Sequence, residues 1–339
     1  MLLEVCVDNA ESVRRALAGG ADRVELCAAL SEGGLTPSIG FVDWTAAFLK
    51  KTHVQVVVMI RNRKGDFVLD EDDIRIMKED IKVLGKKHIH GFVLGALLPD
   101  GNLDVVTLRV LLEGVDLRKH TCTLHRCIDQ VSDVKRALSQ AYALGFRRVL
   151  SSGGMPNCNA GAANLRRMRE YTANKMADMK IVAGAGLCGT NAERVQRLTH
   201  RCGQRDSECE EYHGSFKMVR KSTMRFDRKA VQFNRAGQTS GENLESSAKD
   251  VDPKAVQFNR AGQTSGENLE SSAKESVPAP SLPNKRLNAF IGSFAQESAV
   301  FDPDYDYHVP NTEMMILVKM QIGSSMINHK LLNEVNKPR

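Results

Sequence analysis

The feature that most constrains this chain is an alternation. From Leu2 to about Phe226, short runs rich in β-branched residues recur, and stretches of helix length separate most of them. "LLEVCV" precedes "AESVRRALAGG", "RVELCA" precedes "FVDWTAAFLKK", and "VQVVVMIR" precedes "DEDDIRIMKEDIKVLGKK". "HGFVLGALL", "TCTLHRCID", "RRVLSSGG", "KIVAGAGL" and "EEYHGSF" complete eight candidate strands. Strands joined through helices pair in parallel by right-handed crossovers. Eight such units predict an α/β fold, a closed (β/α)8 barrel of TIM type. A doubly wound open sheet is the competing arrangement, but its Gly-rich fingerprint does not follow the first strand.

The strand faces carry chemistry. Side chains alternate along a strand, so Glu4 and Cys6 share one face while Leu3, Val5 and Val7 share the other. Glu25 and Cys27 repeat the arrangement on the second strand. The same parity selects Asp8 at the end of strand one, Arg61 on strand three, His125 on strand five, and His213 with Ser215 on strand eight. Barrel interiors are normally filled by Val, Ile and Leu, and barrel active sites lie at the C-terminal mouth. Acids, bases and thiols on this parity therefore point to a site there. The competing reading is an internal ion-pair network in which Glu4 and Glu25 pair with Arg61 or Arg126.

One chemistry that fits is anion binding. "AGAG" ends strand seven and "HGS" ends strand eight, the two loops through which barrels often hold phosphate. Gly184, Gly186 and Ser215 would supply the cradle, Arg61 and Arg63 the charge, and Asp8, His125 and His213 the acid and base for a small phosphorylated or carboxylated substrate. Asp8 and His213 are expected to meet across the seam between strands one and eight, and the principal pocket to include Arg61, His125 and His213. A second constellation, His200, Cys202, Cys209 and His213, has a spacing that fits no standard zinc module.

The remainder of the chain is different in character. The string "KAVQFNRAGQTSGENLESSAK" spans 229–249 and recurs letter for letter at 254–274. The domain organisation read from this is a barrel over residues 1–226, a duplicated low-complexity and disordered segment over 227–289, and a tail over 290–339 containing "MMILVKMQI". No helical segment is recognisable directly after strand eight, so the eighth helix is either supplied by the tail or missing. Eight cysteines dispersed over 339 residues suggest free thiols or metal ligands in preference to disulfides. The net charge of +6 is not gathered into a basic stripe and aromatics are 5% of the chain, which argues against nucleic acid. The longest apolar runs are too short to cross a bilayer. The expectation is an intracellular, soluble protein, cytoplasmic or nuclear, with a homo-oligomer compatible with it.

Together, "LEVCVD", "RVELCAALSEGGLTPS", "MIRNRKGDF", "TLHRCID", "RVLSSGG", "VAGAG" and "EYHGS" resemble the CutC copper-homeostasis family, in order from Leu2 to about Phe226. The chain departs from that pattern at Asn62, Lys64, Leu124 and Cys127. The resemblance implies a TIM-type barrel, a cytoplasmic protein and a Cu(I) role, with Cys6 and Cys27 in the positions of the family's copper thiolates. Cu(I) is soft and favours thiolates, and neighbouring parallel strands about 4.8 Å apart could bring two sulfurs together. The alternative is that both cysteines are small buried hydrophobes.

Overall fold

The computed structural model describes residues 2–200, 210–220, 307–312 and 314–319. Eight parallel strands form a closed barrel: β1 (Leu2–Val7), β2 (Arg23–Leu26), β3 (Gln55–Met59), β4 (Gly91–Leu94), β5 (Thr121–Leu124), β6 (Phe146–Ser151), β7 (Lys180–Ala183) and β8 (Glu211–Gly214). Each pairs with the next, and β8 returns to β1 with Glu4 opposite His213. The first seven strands are each followed by an α-helix: α1 (Ala10–Ala18), α2 (Ile39–Leu49), α3 (Glu71–Leu84), α4 (Val105–Leu112), α5 (Val134–Ala143), α6 (Ala162–Lys175) and α7 (Ala192–Thr199). The predicted (β/α)8 architecture is the observed one.

Local sequence explains where the helices begin. Asn9 caps α1 by accepting from Ser12 N at 2.9 Å. Asp70 and Asp73 form a reciprocal capping box on α3, satisfying two backbone donors that the first turn leaves without partners.

Strand parity sorts the core into two parts. The odd face of β1, Leu3, Val5 and Val7, joins Val24, Leu26, Val56, Val58 and Ile60 in the large cluster beneath the helices. The even face looks into the lumen, where Cys6 and Cys27 pack with Val57, Met59 and Val93. A few fully buried charges lie deeper in the lumen.

The tail closes the barrel. β9 (Lys217–Arg220) pairs antiparallel with β10 (Tyr307–Pro310), and helical residues 314–319 follow. Met315 and Val318 are fully buried in the main cluster. Met315 lies against Gly19 at the end of α1 and Leu317 against Gly189 before α7, while Lys319 pairs with Asp22. This segment stands between the seventh and first helices, where an eighth belongs, and falls in the same compact unit as the barrel. The duplicated segment, with residues 221–306 as a whole, lies outside the described residues. Among the described residues, no helix is long and apolar enough to cross a membrane.

Candidate metal centre at the mouth of the barrel

The lumen is built in charged layers. At its lower level Arg23 is fully buried and forms ion pairs with Glu4 and with Glu211, the latter at 2.6 Å, and Arg148 reaches the same Glu211 at 3.0 Å. Burial alone would raise the Glu4 carboxyl, but the Arg23 guanidinium and hydrogen bonding to His213 hold it far below the usual carboxylate range. An ion-pair network is therefore present, with partners other than those expected. Arg23 neutralises Glu4, whereas Arg61 contacts backbone carbonyls and Arg126 pairs with Asp129 at 2.9 Å. Arg23 was missed as a lumen residue, although it shares the parity of Glu25 and Cys27 in "RVELC".

One level higher, three ligand types converge. A thiol, a carboxylate and an imidazole from Cys6, Glu25 and His213 offer ligand atoms that all lie within 4.8 Å of one another, and all three residues are buried. Register explains the meeting: Cys6 is opposite Glu25 across β1 and β2, and His213 stands on β8 at the other side of β1. His213 Nδ1 is 2.7 Å from Glu4 Oε1, and its Nε2 is 3.8 Å from Glu25 Oε2. Burial works against an imidazolium here, but Cys6, Glu4 and Glu25 outweigh it and carry His213 well above its ordinary value.

Cys27 lies one inward position above Glu25 and donates its thiol to Glu25 Oε2 at 3.7 Å. It is therefore diagonal to Cys6 and not directly across from it. Burial, reinforced by Glu25, pushes the Cys27 thiol up. Burial also pushes the Glu25 carboxyl up to about 7 against the pull of His213, and Glu25 Oε1 is buried with no hydrogen-bond partner. A thiol, an imidazole and a carboxylate with a spare oxygen, from Cys6, His213 and Glu25, could together hold a metal ion, with Val57, Met59 and Val93 packed beside them; Cys27, bonded to the same Glu25, is outside that group.

The other expected site residues divide. Arg61, His125, His213, Gly186 and Ser215 line one cavity of about 350 Å³ at the C-terminal mouth, whose floor is Cys6 and Glu25. Asp8 does not meet His213: the β1–β8 register places His213 opposite Glu4, and Asp8 lines an adjoining cavity of about 610 Å³, where it accepts from Asn9 at 2.9 Å. Arg63 is drawn away to Asp73 at 2.9 Å and to Val68 O at 2.7 Å. Gly184 donates its N–H to Ser151 O at 3.0 Å, so that donor is already used. A side chain there would collide with Leu150 and His213, which makes close packing the reason for this glycine. Of the irregular His and Cys constellation, Cys202 and Cys209 lie outside the described residues.

Comparison with known proteins gives consistent findings. The CutC family profile matches residues 1–218. A CutC family protein of Vibrio atlanticus is 43% identical over 197 residues, covering 58% of this chain and 77% of that protein. The copper homeostasis protein cutC homolog of Caenorhabditis elegans is 40% identical over 220 residues, covering 65% of this chain and 82% of the relative. In three dimensions, a Streptococcus agalactiae protein assigned as copper homeostasis protein CutC superposes with a TM-score of 0.57 at 29% identity, covering 63% of this chain and 98% of that one.

Proposed function

The chain belongs to the CutC family, and from that membership and the lumen cluster we propose that it takes part in copper homeostasis by binding Cu(I) as cargo. Cys6 and Cys27 are the thiolate ligands, and His213 offers an imidazole beside them. The observation that carries this reading is the convergence of Cys6, Glu25 and His213 within 4.8 Å, with Cys27 bonded to the same Glu25.

The surroundings support it. Cu(I) prefers thiolates, and apolar walls keep water from competing for it. Thiols must lose their protons to bind a metal. Glu25 already accepts the Cys27 S–H, and its carboxyl, raised to about 7, can hold that proton near neutrality. Glu4 fixes the orientation of His213 from the other side, as a carboxylate does behind a ligating imidazole. Among the described residues Cys6, Cys27, Cys122, Cys127, Cys158 and Cys188 are free thiols, which fits work in a reducing compartment such as the cytoplasm.

The test is Cu(I) titration of the full chain, under reducing conditions, against a chromophoric chelator. The wild type is expected to compete for Cu(I), and Cys6→Ser with Cys27→Ser is expected to lose that competition while keeping its circular dichroism. Unchanged stoichiometry in the double variant would reject this site.

A further inference from the structure

The carboxylates of the lumen are unequally matched. Glu4 and Glu211 each meet Arg23, and Glu211 also meets Arg148. Glu25, 3% exposed, meets no arginine: among the described residues its ion-pair contact is His213, at 3.8 Å. A buried carboxylate is costly unless a cation compensates it. His213 is held through Nδ1 by Glu4 at 2.7 Å, which leaves Nε2 facing Glu25. A carboxylate behind an imidazole in this way fixes the ring and keeps its far nitrogen available as a metal ligand.

The third member is the Cys6 thiol. Its sulfur, a Glu25 oxygen and a His213 nitrogen all lie within 4.8 Å of one another. In a tetrahedral Zn(II) site, with metal bonds of about 2.0–2.3 Å, ligand atoms are about 3.4–3.6 Å apart. The 3.8 Å between His213 and Glu25 is already close to that, so small side-chain rotations complete the set. The three residues stand on the paired strands β8, β1 and β2, which hold their backbones in place. Charge points the same way: a divalent ion cancels one thiolate and one carboxylate, whereas a monovalent ion leaves a negative charge buried. Sulfur, nitrogen and oxygen together make a borderline donor set, while a pair of thiolates is a soft one. All three residues line the cavity of about 350 Å³, so a fourth coordination position faces the mouth. Three protein ligands with an open fourth position is the arrangement of catalytic zinc sites.

We propose that Cys6, Glu25 and His213 form a second metal site, overlapping the copper position at Cys6, that takes a borderline divalent ion such as Zn(II) with one coordination position open to the mouth. Water or a small anion on that position would be polarised by the ion. The site shares Cys6 with the copper reading but does not use Cys27, so it stands or falls separately from copper. Where both metals bind, they compete for the one thiolate.

The experiment titrates the metal-free full chain, kept reduced with a phosphine, with Co(II) and then with Zn(II). Co(II) is the spectroscopic probe, because a thiolate ligand gives it a charge-transfer band. The expected result is a saturable thiolate band that Zn(II) abolishes by displacement. Cys6→Ser should lose the band. Glu25→Gln should bind Zn(II) about tenfold or more weakly, measured against a chromophoric chelator, as befits the loss of a charged ligand. Cys27→Ser, whose hydroxyl can donate to Glu25 as the thiol does, should keep the band and weaken only Cu(I) binding. Failure of the copper arm alone would count against the copper reading and not against this site. If Glu25→Gln fails to fold, Cys6→Ser decides. No thiolate band in the wild type, a band retained in Cys6→Ser, unchanged Zn(II) affinity in Glu25→Gln, or loss of Zn(II) in Cys27→Ser would each overturn the assignment. Simultaneous binding of Cu(I) and Co(II), both through Cys6, would overturn the overlap.

Discussion

At the scale of single residues, the lumen is held by charges whose partners are fixed. Arg23 joins Glu4 and Glu211 with no access to water, so replacing it removes the cation between two buried carboxylates and leaves Glu4 only His213 and Glu211 only Arg148 as ionic partners. Arg23→Met is expected to lower stability by about 3–5 kcal/mol, read as a shift of the urea midpoint at constant m-value. His125 gives a pH dependence. Its folded pKa of about 3 lies below the ordinary 6.5, so between these values the folded state binds fewer protons than the unfolded one. The contribution is fully present above about 6.5 and is lost as pH falls toward 3. The melting temperature of His125→Asn is therefore expected to decline less steeply on acidification than that of the wild type, and parallel declines would contradict it. The period-2 reading of "LEVCV" and "RVELC" identified Glu4, Cys6, Glu25 and Cys27 as one chemical face. It could not show that His213 turns to Glu4 and not to Asp8, because that depends on the stagger between β1 and β8, and stagger leaves no mark in a single strand.

At the scale of elements, the alternation of β-branched runs with helical stretches made the barrel legible, since each run obeys a local period and each helix brings its own cap. For the eighth helix the sequence left two outcomes open, supply by the tail or absence, because the helical residues 314–319 come more than eighty residues after β9. Its apolar run "MMILVKMQI" gives a helical stripe but no address. Only the tertiary contacts of Met315 with Gly19 and of Leu317 with Gly189 assign it to the gap. Met315 is fully buried, so Met315→Ala is expected to cost about 2–5 kcal/mol, and Ile316→Ala, on an exposed position, close to none. Equal effects of the two, measured by urea unfolding, would contradict the docking.

At the scale of the whole molecule, the barrel and the described residues of the tail fall in one compact unit, in which β9 pairs with β10. Arg220 is the register partner of Tyr307, so a two-residue Asn-Gly hairpin turn can replace residues 221–306. The shortened chain is expected to keep the melting temperature and Cu(I) stoichiometry of the full protein. Loss of either would give the excised residues a structural role. The loops at the mouth hold Arg61 above a floor that includes the Cys6 thiol and Glu25. The central claim is that the metal sits on that floor, and X-ray absorption at the copper edge of the Cu(I)-loaded full chain tests it most directly. The account predicts sulfur in the first coordination shell, reduced in Cys27→Ser and absent in the Cys6→Ser, Cys27→Ser double variant. A first shell of nitrogen and oxygen alone in the wild type, or sulfur undiminished in the double variant, would contradict it.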